Sequence, residues 1–189
     1  MSLTNQKPSL YPGMLCNGVE FFAVESEMKF IANGEVKPIL NLPYQIVELG
    51  HEHIDKEPDL LKALQEWHPN SKTSQFNQFL KCRYGGLDYS ADLEDNQFKD
   101  GDYFHCSKRS TCKYNGVICL SPKYKGKKLT AIEIKLMQLL STNLTNEVIA
   151  EKLTIPYGSF HKYKQVLYEK LEVQTKPEIA LITKSLNLI

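Results

Sequence analysis

Between Leu129 and Ile189, apolar residues recur at helical spacing in four short runs separated by tight turns, and this pattern constrains the fold more than any other feature of the chain. In LTAIEIKLMQLLST, Thr130 stands three residues before Glu133. That pair is a capping box, in which a hydroxyl and a carboxylate each satisfy a free N–H at a helix start. Ile132, Leu136, Leu139 and Leu140 then form the predicted buried stripe, and Asn143 is expected to stop the helix in the left-handed conformation. A second helix, Thr145 to Leu153, is predicted to bury Val148, Ile149 and Leu153, with Ala150 where two helix backbones come close. The turn TIPY leads to a third, Gly158 to Leu171, with Phe160, Val166, Leu167 and Leu171 apolar. The last, Lys176 to Leu188, has Pro177 in its first turn, a preferred place for proline.

Charge separates this segment from the rest. From Lys123 onward there are eleven lysines and six glutamates, a net of +5, whereas the preceding 122 residues carry −4. A basic piece joined to a mildly acidic one fits a protein of which one part meets a polyanion. Short helix, tight turn and basic helix is the helix-turn-helix order. The third helix carries His161, Lys162, Lys164, Gln165 and Lys170, donors that suit phosphate oxygens and guanine edges.

Residues 129–189 resemble the LuxR-type (GerE-like) helix-turn-helix domain of bacterial transcription regulators. The likeness runs from Leu129, Thr130 and Glu133, through Asn146, Ile149, Ala150 and Leu153, to Lys170, Leu171, Val173 and Glu178. The chain departs from the family pattern at Asn143 (usually Gly), Val148 (usually Glu), Pro156 (usually a capping Ser), Ser159-Phe160 (usually Thr-Val) and Tyr163 (usually His). The resemblance implies double-stranded DNA as partner, with His161, Lys162 and Gln165 reading bases and Lys164 and Ser159 contacting phosphates. It also implies a homodimer through the last helix, where Leu181, Leu188 and Ala180 lie beside the stripe of Ile179, Ile182 and Leu186, and it makes RNA polymerase a candidate partner.

Pro122, Gly126 and the lysines of SPKYKGKK read as a linker, which divides the chain into a domain 1–122, a linker 123–128 and a helix-turn-helix domain 129–189. The fold class expected is α+β, a mixed N-terminal domain followed by an all-α domain of four helices. Gly18–Val24 and Glu27–Ile31 read as strands, and Val36–Leu40 and Gln45–Leu49 as further strands weakened by Pro38 and Pro43. Asp59–Trp67 and Thr73–Cys82 have helical spacing. From Gly85 to Asp102 the chain is acidic and poor in aliphatics, a long irregular stretch that needs an anchor.

Four cysteines bracket that stretch. Cys82, Cys106, Cys112 and Cys119 could hold a structural Zn²⁺ as a closed tetrahedral site, with His105 a substitute ligand, although the spacing is looser than in zinc ribbons. Ordinary reduced thiols and a redox or iron–sulfur role are the alternatives, and Cys16 reads as a lone thiol. Asp88, Asp92, Asp95, Asp100 and Asp102 lack EF-hand spacing and read as a solvated loop, and His51 and His53 as solvated side chains on a strand.

With 189 residues, 42% hydrophobic and 24% charged, the chain has the composition of a globular protein. It shows no apolar run long enough to span a membrane and no secretory signal, so a cytoplasmic location is expected. No phosphate-cradling glycine loop, nucleophile elbow, HExxH or receiver-type acidic pair occurs. The chain therefore reads as a sequence-specific DNA-binding regulator and not an enzyme. The alternative is a protein-interaction module that uses the helix-turn-helix scaffold without DNA.

Overall fold

The aromatic-rich runs near the start of the chain pair with one another. In the computed structural model, which describes residues 10–25 and 27–189, Glu20–Val24 (β1), Glu27–Ala32 (β2) and Glu35–Pro38 (β3) form an antiparallel meander. Phe21 lies opposite Phe30 in the β1–β2 register, and both rings are buried. Pro38 closes β3 because it has no N–H to give a ladder, and a short 3-10 turn over Ile39–Asn41 follows. Gln45–Leu49 is not a strand. It lies inside a helix, α1 (Tyr44–Asp55), which starts directly after Pro43 and buries Gly50 and Ile54. A Cβ at Gly50 would run into the Phe76 ring, so α1 sits there only because residue 50 has no side chain.

The next two helices fall where their apolar spacing put them. α2 (Pro58–Trp67) opens with proline in its first turn, and α3 (Lys72–Arg83) is capped by Ser71 Oγ, which accepts the Ser74 N–H at 3.1 Å. α3 presses Phe76, Phe79 and Leu80 against α1, α2 and the sheet. The mixed α+β class of this half is thus as expected.

The irregular stretch has its own fixings. Seen from β2, β1 has a free edge, and its N–H groups at residues 19, 21 and 23 point outward. Residues 85–93 run along that edge and satisfy all three: Val19 N–H donates to Leu93 O (2.8 Å), Phe21 N–H to Asp92 Oδ2 (2.6 Å) and Ala23 N–H to Gly85 O (3.1 Å). Two short strands, β4 (Leu93–Glu94) and β5 (Gln97–Phe98), then form a hairpin. Phe98 inserts among Phe21, Phe79 and Tyr84, with ring centroids 5.5–6.2 Å apart, and the Tyr84 hydroxyl donates to Lys99 O at 2.9 Å. Further on, the Arg83 guanidinium donates to Ile118 O (3.2 Å) and Val117 O (3.0 Å) while pairing with Glu57 at 2.7 Å.

The chain divides into two compact units after Cys119, so the second unit runs Leu120–Ile189. Residues 123–128 are not a free linker. They form a hairpin, β6 (Lys123–Tyr124) and β7 (Lys127–Lys128), because Lys125 at φ 48° and Gly126 at φ 76° make its two-residue turn. Four helices follow: α4 (Ala131–Leu140), α5 (Asn146–Lys152), α6 (Tyr157–Leu171) and α7 (Lys176–Ser185). The capping box at Thr130 and Glu133 is formed as the sequence predicts, and a second one joins Thr175 to Glu178. Lys127 and Lys125 both reach Glu172 at the end of α6, and Lys170 donates to Lys128 O at 2.7 Å, so the hairpin is stitched to α6.

Helix endings depart from expectation. Asn143 is not left-handed; hydroxyls of Ser141 and Thr142 close α4 by donating to Met137 O and Leu139 O. Left-handed residues instead end the other three helices at Thr154, Glu172 and Asn187, each with the paired backward N–H bonds of a Schellman turn. A β-branched side chain at φ 57° is strained. Thr154→Gly should therefore stabilise the second unit by about 1 kcal/mol, read as a higher urea midpoint. A lower midpoint would show that the threonine side chain contributes more than its backbone costs.

Candidate nucleic-acid interface

α5, a tight turn and α6 give the helix-turn-helix order its geometry. Thr145 caps α5 by accepting the Val148 N–H at 3.5 Å, and Ile149 and Ala150 are buried, Ala150 being small enough for close helix approach. Phe160, Leu167 and Leu171 bury one side of α6. Residues 159, 162, 165, 166 and 169 therefore lie on the other side, at the steps of three and four that define one helical face. Val166, one of the apolar residues of this helix, is 51% exposed and belongs to this outer face. Ile132 of α4 is likewise exposed, and its place in the core is taken by Ile134 and Met137.

The five predicted contact residues do not all share that face. Ser159, Lys162 and Gln165 are exposed on it. Gln165 Nε2 donates to Glu169 Oε1 at 2.9 Å, so its amide must exchange an internal partner for a ligand. His161 is exposed at the margin, held edge-on to the Tyr157 ring at 4.6 Å, and Tyr157 in turn donates to Glu147 Oε1 at 2.8 Å. Lys164 is half-buried, with its ammonium 5.2 Å from the Tyr168 ring centre. Lys170 is not available to a ligand. It forms two 2.8 Å bonds to the Glu133 carboxylate, so it staples α6 to α4. Burial alone would raise the Glu133 carboxyl, but Lys170 and Thr130 outweigh it and hold that group below its usual range.

Two features of α6 bear on its start. Its first turn follows Pro156, which stands where the resembled family has a capping Ser, and has no side-chain cap, and a side chain at Gly158 would meet nothing within 4 Å. The Tyr157–His161 contact was legible in principle, as an i, i+4 aromatic pair.

α7 has one apolar face and not two. Ile179, Ile182 and Leu188 are buried in the unit's own core, and Leu181 is 70% exposed. Leu188, expected at a dimer contact, is thus a core residue, because the turn after α7 folds it back.

The cysteines do not share one coordination shell among the described residues. Cys119 hydrogen-bonds to Cys82, and Gln78 Nε2 donates to Cys82 Sγ at 3.0 Å. Those two donors hold the buried Cys82 thiol at about 7, against the opposing effect of burial. Cys112 acts electrostatically on Cys119, Cys106 is half-buried, and His105 is exposed beside Tyr103. His51 and His53 are on α1, half-buried against Phe76 and against Phe79 and Phe98, where burial lowers both pKa values. Among the described residues, the group that does converge is acidic: Glu20, Asp92 and Asp102. Asp92 and Asp102 were read as solvated, and Asp92 is fully buried.

No described helix is long and apolar enough to cross a membrane. Comparison of the chain with protein-family models, with curated proteins and with solved structures finds no match.

Proposed function

We propose that the second unit binds duplex DNA and that the protein regulates transcription, as the LuxR-type resemblance of residues 129–189 implies. The observation that carries this reading is the outer face of α6, where Ser159, Lys162 and Gln165 stand exposed on the second helix of a helix-turn-helix pair. Lys162 and Gln165 have the donors that read purine edges, and Val166 beside them suits a thymine methyl group. The uncapped start of α6 at Gly158, with Ser159, fits a phosphate. His161 and Lys164 lie at the margins and serve the backbone more than the bases. In this reading the protein acts in the cytoplasm, pairs through exposed Leu181, and meets RNA polymerase if it is an activator.

Selection of bound sites from random duplexes with the full-length protein tests the proposal. Lys162→Ala and Gln165→Ala should each weaken specific binding by about 1–3 kcal/mol, whereas Lys164→Ala should lower affinity on all sequences and flatten its salt dependence. If all three bind every duplex as the parent does, α6 is not the reader. The exposed Tyr163 favours the interaction-module alternative, in which duplex binding is absent at low salt and a Tyr163→Asp chain loses a protein partner.

A further inference from the structure

Where residues 85–102 fold along β1, they enclose a group of carboxylates. Glu20 is 0% exposed and Asp92 1%, with Asp102 and Asp88 half-buried beside them. One oxygen of each buried pair member is already used by the backbone. Asp88 N–H donates to Glu20 Oε1 at 2.8 Å, and Phe21 N–H donates to Asp92 Oδ2 at 2.6 Å. These two bonds fix the orientation of both carboxylates.

The remaining oxygens meet only one another: Asp102 lies within hydrogen-bond reach of Asp92 and of Asp88, so any bond there needs a shared proton. Among the described residues, Glu20 Oε2, Asp92 Oδ1 and Asp102 Oδ2 are all buried without a donor. The three residues bring one carboxylate oxygen each within 4.8 Å of the others. A carboxylate removed from water must be compensated, and like charges this close repel. The charges that act on these groups are mainly one another and Asp88, which adds to the repulsion.

We propose that Glu20, Asp92 and Asp102 form a binding site for one hard divalent cation, with Asp88 positioned to complete its oxygen shell. The donor set is all carboxylate, with neither imidazole nor thiolate, which suits Ca²⁺, Mg²⁺ or Mn²⁺ and not a softer metal. Water fills the remaining positions on the less buried Asp102 side. The three ligands come from β1, from the residue before β4 and from the segment after β5, so one ion fastens both ends of the β4–β5 hairpin to the sheet edge. The site is structural: it orders a stretch with too few aliphatics to order itself.

Protons are the competing means of neutralising the group. Burial pushes Glu20 up to about 9 and Asp102 up to about 8, and raises Asp92 as well.

The test uses the full chain stripped with chelator, followed by thermal unfolding of its first unit near pH 8 with millimolar CaCl₂, MgCl₂ or MnCl₂. At least one salt is expected to raise the melting temperature by about 5–10 °C, with calorimetry giving about one ion per chain, and the gain should shrink near pH 5.5. Asp92→Asn should abolish the gain; Asp102→Asn, at the more open ligand, supplies the same test if the first variant does not fold. No gain from any of the three salts, or an equal gain in the folded variants, overturns the proposal.

Discussion

A Leu188→Glu chain is expected to have a severely destabilised second unit. Leu188 is 3% exposed, and it is locked from both sides: its N–H donates to Thr183 O at 2.9 Å and its carbonyl accepts from Gln138 Nε2 of α4 at 2.9 Å. A carboxylate there forfeits the apolar contacts and buries a charge without a partner, a cost of about 4 kcal/mol or more. A unit of this size has a total stability of roughly 4–10 kcal/mol, so the loss takes from about two fifths to all of it. Leu181→Glu, on the exposed side of the same helix, should change stability by no more than about 0.5 kcal/mol. Circular dichroism melts of the two variants separate them. If Leu188→Glu melts like the parent, the backfolded turn after α7 is wrong. If Leu181→Glu stays folded and turns a dimer into a monomer, pairing through α7 is supported.

Arg83→Ala should cost about 2–3 kcal/mol in the first unit, because a buried guanidinium that serves two carbonyls is removed, while its ion-pair partner Glu57 is 40% exposed and can rehydrate. The side chain is 2% exposed and lies 5.5 Å from the Phe79 ring centre. Its removal leaves Glu57 without its cation and two carbonyls, of Val117 and Ile118, without donors. Arg83→Lys should restore little, because an ammonium cannot reach three acceptors with the geometry of a planar fork. Urea unfolding followed by the fluorescence of Trp67, which stacks on Tyr114 at 4.8 Å, reads the segment directly. A variant with an unchanged midpoint would show that residues 103–119 are held by other means.

Legibility differed between the two units for a physical reason. The second unit is built from local signals: capping at Thr130, helical spacing at Leu136 and Leu139, a turn at TIPY. Those are encoded within a few residues of where they act, and α4 to α7 fall where the spacing put them. Leu188 departs from expectation because periodicity cannot say which of two apolar stripes faces the core. In the first unit the decisive contacts are long-range. Phe21 N–H meets Asp92 across 71 positions, and Arg83 meets Ile118 across 35. An aspartate that replaces a ladder carbonyl looks, in sequence, like any loop aspartate, so the acidic group was invisible while the cysteines drew attention. α1 was misread because Pro43, a breaker within a strand, is equally a helix starter.

Glu172 has two loyalties. Its backbone holds the left-handed end of α6 at φ 59°, a conformation glycine would adopt without strain, while its carboxylate receives Lys125 at 2.5 Å and Lys127 at 3.1 Å from the hairpin. Relief of one is forfeiture of the other. A glycine at this position would ease the helix end yet release β6 and β7 from it, and a shorter acid would strain neither less nor hold as far. The chain thus couples two otherwise separate variables, how firmly α6 terminates and how closely the preceding hairpin follows it, through one side chain. Selection acting on either would be felt at both, which makes residue 172 a point of compromise and not of optimum.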